Sequence, residues 1–178
     1  MPMAATGSNV PRRCWISLGS NQQRERSLRA AVSALTERFG PLTLSPVYES
    51  AAEGFVGAPF LNLVAGIRTS IPVGQLRETL RGIEVANGRR RGAARFAPRT
   101  LDLDLLTYGD QVGEIDGYQL PRDEILTYAF VLGPLADVAP QERHPTTGHT
   151  YAELWRERAP HWPRLTRVAL SLEPGNDG

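Results

Sequence analysis

An α+β fold, an antiparallel sheet with helices packed on one face, is predicted by two observations. Between Cys14 and Tyr108, apolar patterns of period 2 and period 3.6 follow one another in the order strand, helix, strand, strand, helix, strand. The chain has 178 residues, 41% of them hydrophobic, which is enough for one domain with a real core. A single domain over residues 1–178 is therefore expected, with its core at about 14–158 and loose ends.

The first strand is read at Cys14 to Ser20 (CWISLGS), ending in Gly19-Ser20-Asn21, a turn sequence suited to close backbone approach. A helix over 25–39 follows, with Leu28, Val32, Leu35 and Phe39 on one face, and Gly40-Pro41 stops it. Residues 42–49 are expected as a second strand, 51–59 as a Gly/Ala loop and 60–69 as a third strand. Ser70 and Pro72 start a second helix, with Leu76, Leu80 and Ile83 at helical spacing, that ends near Asn87-Gly88. The segment DLDLLTY, 102–108, is the fourth strand. This order is the split βαβ, or ferredoxin-like βαββαβ, arrangement. A C-terminal extension adds a short apolar helix at 130–139 and a helix around Leu154 and Trp155, opened by a capping box from Thr150 to Glu153.

Composition narrows the chemistry. All twenty positive side chains are arginine and there is no lysine, which excludes a Walker-type phosphate loop, a Schiff-base lysine and a lysine general base. Any phosphate must be held by guanidinium groups, backbone amides and metal. The single cysteine, Cys14, cannot close an internal disulfide and reads as a buried structural thiol. The histidines His144, His149 and His161 lack zinc-site spacing and are expected at the surface. No apolar run approaches the ~20 residues of a membrane span, and the N-terminus lacks an apolar signal core, so a cytoplasmic protein is expected.

The stretch RFAPRTLDLDLL at 95–106 is the most informative. Strand alternation puts Asp102 and Asp104 on one face and Leu101, Leu103 and Leu105 on the other. Two adjacent carboxylates repel unless a cation lies between them, and Mg2+ takes carboxylate oxygens together with substrate phosphates. Just upstream, Arg89, Arg90, Arg91, Arg95 and Arg99 occur with no acidic residue between Glu84 and Asp102. With Gly88 and Gly92 beside them, they read as a basic loop able to close over an anion. The combination points to a metal-bound polyphosphate.

On SLGSN (17–21), VYES (47–50), FLN (60–62), IE (83–84), GRRR (88–91), RFAPRTLDLDLL (95–106), LP (120–121) and FVLGPLADVAP (130–140), the sequence resembles the 6-hydroxymethyl-7,8-dihydropterin pyrophosphokinases of folate biosynthesis. The resemblance implies transfer of pyrophosphate from ATP to the pterin hydroxymethyl group, giving AMP, on a ferredoxin-like fold with two Mg2+ ions. It implies that Asp102 and Asp104 bind the metal and that Arg89 and Arg99 join them as catalytic residues. ATP would be held by Glu84, Arg89, Arg91, Arg99 and Arg122. The pterin would be held by Ser50, Gly54, Phe60, Asn62, Phe96 and Phe130, with Phe60 where the family usually has Tyr and Phe96 where it usually has Trp. A monomer acting on ATP and a pterin, without nucleic acid or membrane, is expected.

Two departures stand out. Arg122 occupies a position usually held by His, and Tyr128 one usually held by Arg, in the stretch LPRDEILTYAF. An active enzyme with a variant phosphate clamp is the favoured expectation. A slow or inactive paralogue that binds nucleotide or another pterin is the alternative. An RNA-binding ferredoxin-like module is the remote one, disfavoured because Asp102 and Asp104 would repel a phosphate backbone.

Overall fold

The computed structural model describes residues 10–50, 59–87 and 101–172. In chain order the elements are β1 (Arg12–Ser20), α1 (Arg24–Phe39), β2 (Thr43–Leu44), β3 (Val47–Ser50), β4 (Phe60–Thr69), α2 (Val73–Ala86) and β5 (Asp102–Tyr108). They are followed by β6 (Gly113–Ile115), β7 (Tyr118–Leu120), α3 (Glu124–Thr127), α4 (Ala129–Val138), α5 (Tyr151–Arg158), a 3-10 turn at Ala159–His161 and β8 (Thr166–Val168). One antiparallel sheet runs β5-β1-β4-β3-β8, with β2 also pairing β4, while β6 and β7 form a separate hairpin. The expected βαββαβ order is thus realised, with β1 and β4 at the centre.

Alternation divides the sheet into two faces. On one, Cys14, Ile16, Leu18, Leu61, Leu63, Ile67, Leu103 and Leu105 pack against Leu28, Val32 and Leu35 of α1 and Val73, Leu76 and Leu80 of α2. At about 1.5–3 kcal/mol per buried aliphatic side chain, that stripe outweighs the weak start of α1, whose cap residue Gln23 makes no side-chain capping bond. On the other face, Trp15, Val64 and Leu106 pack against Ile125, Val131, Leu132, Leu135, Tyr151 and Leu154. The two core helices share one face, and the C-terminal extension covers part of the other. Gly66 makes this second layer possible, since a Cβ there would lie 2.8 Å from the Trp15 ring.

Local signals hold at most boundaries. Gly40 takes φ 81° and its N–H bonds Thr36 O at 2.8 Å, ending α1. The expected strand at 42–49 is instead two short strands, interrupted at Ser45-Pro46. Proline offers no N–H to the ladder. Ser45 bridges the gap, donating its N–H to Val64 O and accepting the Val64 N–H on its hydroxyl at 2.9 Å. Thr150 caps α5 by accepting the Glu153 N–H at 3.1 Å, but the Glu153 carboxylate faces His149 at 3.1 Å, so the reciprocal half of the capping box is not its partner.

Cys14 is fully buried, and burial pushes its thiol up to about 12, as befits an inert structural residue. His144 corrects the expectation of surface histidines, being only 3% exposed. Its Nδ1 accepts the N–H groups of Thr146 and Thr147, each at 3.2 Å, which builds the turn before α5 around the imidazole. Among the described residues no helix is long and apolar enough to cross a membrane.

Candidate active site

The second sheet face changes character toward the end of β1. Strand pairing sets Asp102 opposite Gly19, Gly19 opposite Asn62 and Asn62 opposite Tyr48, so these four form one transverse row. Asp104 lies in the next row, opposite Ser17. Asp102 and Asp104 are two residues apart, hence about 6.8 Å between backbones, and two strand spacings put Asp102 about 10 Å from Asn62. Between them the floor is bare backbone. A Cβ on Gly19 would lie 3.1 Å from Asn62 Oδ1 and 3.8 Å from Phe60 Cδ1.

The β4 side of the row is polar and ordered. Asn62, only 6% exposed, donates from Nδ2 to Ser50 Oγ at 2.6 Å, and Phe60 pairs in register with Ser50. Three predicted pterin-site residues, Ser50, Phe60 and Asn62, are thereby brought together. Tyr48 donates its hydroxyl to the Asp137 carboxylate, tying β3 to α4. Burial, then that carboxylate, push the Tyr48 hydroxyl up to about 12, so it remains a donor. On α4, the Phe130 ring stacks on Tyr128 with centroids 4.9 Å apart and planes at 20°. Tyr128 therefore extends an aromatic surface at a position where the family pattern predicts an arginine.

β5 is an edge strand, and two side chains and one backbone N–H occupy its outer edge. The buried Glu84 of α2 accepts the Leu103 N–H at 3.0 Å. Tyr118 donates its hydroxyl to Leu105 O at 2.9 Å, and the Arg122 N–H bonds Leu106 O at 2.9 Å. Edge strands covered in this way are protected from pairing with other chains. The same bonds fix the strand on which both aspartates sit. Glu84, expected on the nucleotide side, thus grips the backbone between Asp102 and Asp104.

Arg122 is held beside this edge. Its Nε and Nη2 form a fork on Glu124 at 3.2 and 3.1 Å, and its guanidinium carbon lies 4.6 Å from the centroid of the Tyr118 ring. Arg77 also lies over that ring, at 3.8 Å. Asp104 is near enough to interact electrostatically with both Tyr118 and Arg122.

Among the described residues no group of three or more His, Cys, Asp or Glu side chains is arranged to hold a metal. Two hard carboxylates alone fit Mg2+, which usually keeps water and takes its remaining ligands from substrate phosphate. The donor set therefore suits a metal that arrives with a nucleotide.

The family described as 7,8-dihydro-6-hydroxymethylpterin-pyrophosphokinase (HPPK) matches residues 15–140. A 2-amino-4-hydroxy-6-hydroxymethyldihydropteridine pyrophosphokinase of Pseudomonas aeruginosa is 39% identical over 142 residues, 77% of this chain and 86% of that one. The chain belongs to the HPPK family. A Bacillus subtilis protein of the same name is 35% identical over 82% of this chain and 91% of its own. Among solved structures, Plasmodium falciparum HPPK-DHPS superposes with a TM-score of 0.64 at 13% identity, covering 85% of this chain. The chain spans 45% of that larger one, and at this identity the likeness speaks for the fold alone.

Against the HPPK expectation, Gly54, Arg89, Arg91, Phe96 and Arg99 lie outside the described residues. Asp102 and Asp104 share one sheet face as expected, and the strand register puts Asn62, Ser50 and Phe60 on that same face. Sequence reasoning missed Gly19 as floor, Tyr48 as the tie to α4, and Tyr118 with Glu124 as the setting of Arg122. Gly19 and Tyr48 lie inside the quoted segments SLGSN and VYES, so their signal was present.

Proposed function

We propose that this HPPK-family chain transfers the pyrophosphoryl group of ATP to the hydroxymethyl oxygen of 6-hydroxymethyl-7,8-dihydropterin, giving the pterin diphosphate and AMP in folate biosynthesis. The observation that carries this reading is the transverse row in which Asp102, with Asp104 in the next row, and the buried amide of Asn62 flank a side-chain-free glycine. Such a floor offers an anion-and-metal end and a heterocycle end separated by about the width of two strands.

Asp102 and Asp104 are assigned to Mg2+, with two ions expected. When bound, the metal would neutralise phosphate charge and lower the pKa of the attacking alcohol. Arg89, Arg91 and Arg99 are assigned to the ATP phosphates as catalytic and binding cations, with Arg122 beside them, in keeping with a site that must work without lysine. Asn62 is assigned to the polar edge of the pterin. Its amide, oriented by Ser50, can accept as well as donate. Phe60, Phe130 and Phe96, with Ser50 and Gly54, are assigned to the rest of the pterin pocket, where flat rings favour stacking. The chain is read as a cytoplasmic monomer that binds no nucleic acid.

No covalent intermediate is needed. Displacement at phosphorus asks chiefly for alignment and charge stabilisation, which a metal held by the two carboxylates, together with the assigned arginines, would supply. The test is AMP formation from ATP and Mg2+ with and without the pterin. Pterin-dependent AMP release is expected. Binding of MgATP or pterin without AMP release would replace this reading with that of an inactive paralogue.

A further inference from the structure

We propose that Glu124 and Tyr118 are positioning residues for Arg122, a tether that holds its guanidinium beside the outer edge of β5 ready for the nucleotide phosphates. The inference rests on the reading of Arg122 as a phosphate ligand.

Three restraints converge on one residue, one on its backbone and two on its side chain. The Arg122 backbone is pinned to β5 through Leu106 O at 2.9 Å. Its guanidinium lies 4.6 Å from the centroid of Tyr118, whose own hydroxyl is bound to Leu105 O. Its Nε and Nη2 are forked onto Glu124 at 3.2 and 3.1 Å. Both side chains of the pair are about a third exposed. Surface ion pairs of that kind contribute little to stability, so the fork has little structural consequence by itself.

Its consequence is order. An arginine loses much rotamer freedom when it is fixed, and a group already held in place binds its ligand with less loss. The fork takes one edge of the planar guanidinium and leaves the Nη1 side for a second anion. Glu124 also lies two residues from Arg122, at the first turn of α3, so the tether is local and moves with its arginine. The opposite possibility is that Glu124 competes with phosphate for Arg122. The two make opposite predictions.

The experiment is a double-mutant cycle of Glu124→Gln and Arg122→Ala in the full chain. It is read by titration calorimetry with Mg2+ and a non-hydrolysable ATP analogue, and by KM and kcat for ATP and pterin. Glu124→Ala serves as a second variant, and melting temperature checks folding. Glu124→Gln is expected to weaken the analogue and raise KM for ATP by about tenfold, the effect of losing one charge-assisted hydrogen bond. KM for pterin should not move. In the Arg122→Ala background the Glu124 substitution should have no further effect. Equal effects in both backgrounds, no effect in either, or tighter binding after Glu124→Gln would overturn the tether. If the wild type binds the analogue but forms no AMP, the enzymatic reading fails while the cycle still decides the tether. A wild type that binds no analogue overturns both.

Discussion

Asp104 is exposed and Asp102 half-buried, and neither belongs to the apolar core. Their neighbours Leu103 and Leu105 hold the strand, so the carboxylates can be removed without a cavity. Asp102→Asn or Asp104→Asn should lower pterin-dependent AMP formation by a factor on the order of 10³ or more, the scale of losing a metal-borne charge. The same substitutions should change stability by no more than about 0.5 kcal/mol, as for other surface positions. Rate and melting temperature measured on the same preparations separate the two effects. Near-normal turnover in either variant would dismiss the metal assignment. Gly19 is the complementary residue of the proposed site, where the missing side chain leaves the floor open. Its Cβ would crowd Asn62 at 3.1 Å, so the floor depends on a hydrogen in place of a side chain.

At the scale of elements, the turn before α5 depends on the protonation state of one histidine. His144 Nδ1 accepts two backbone N–H groups, its own N–H bonds His149 O at 2.9 Å and its carbonyl accepts from Gly148 at 2.9 Å. Burial, reinforced by the positive charge of Arg158, holds its pKa below the ordinary histidine value. The folded protein therefore binds this proton less readily than the unfolded chain. Above about pH 7 both forms are neutral and stability is level in this respect. As pH falls through the ordinary value near 6.5, the unfolded state gains the proton first and stability drops. The slope is at most about 1.4 kcal/mol per pH unit. Denaturant titrations from pH 7.5 to 5 should show this loss in the wild type and a flatter curve in His144→Asn. Parallel curves would mean that the histidine is not the titrating group.

None of this was legible in sequence, because burial of His144 is set by Tyr151 and the fold around it rather than by any local pattern. The long elements were legible, since β4 and α2 carry their own periodicity and the boundary between them and the end of α2 are marked by Ser70, Pro72 and Asn87. So was the aspartate pair, which follows from alternation alone. The three-residue strands β6, β7 and β8 were not, because their pairing partners supply most of the signal. Arg122 shows the same division. Its charge was evident from sequence, but its fork to Glu124 depends on where the β7–α3 connection turns.

For the molecule as a whole, one sheet is used twice. The face under α1 and α2 holds the fold together, while the other is part core, under α4, and part candidate site. The two carboxylates therefore sit on the sheet that also carries the core and are placed close together at some cost in repulsion. That cost should be relieved when cation and nucleotide arrive together. With no group of three or more His, Cys, Asp or Glu side chains arranged for a metal among the described residues, Mg2+ alone should bind weakly, whereas MgATP should bind well because the phosphates complete its coordination. A ligand at about a hundred times its Kd adds roughly 2.7 kcal/mol to stability. In a domain of this size, each kcal/mol raises the melting temperature by about 2–4 °C. Thermal melts should therefore rise by about 5–10 °C with saturating MgATP, little with Mg2+ alone, and little with MgATP in Asp104→Asn. Stabilisation by Mg2+ alone equal to that by MgATP would point to a resident metal, and the substrate-borne site would have to be abandoned.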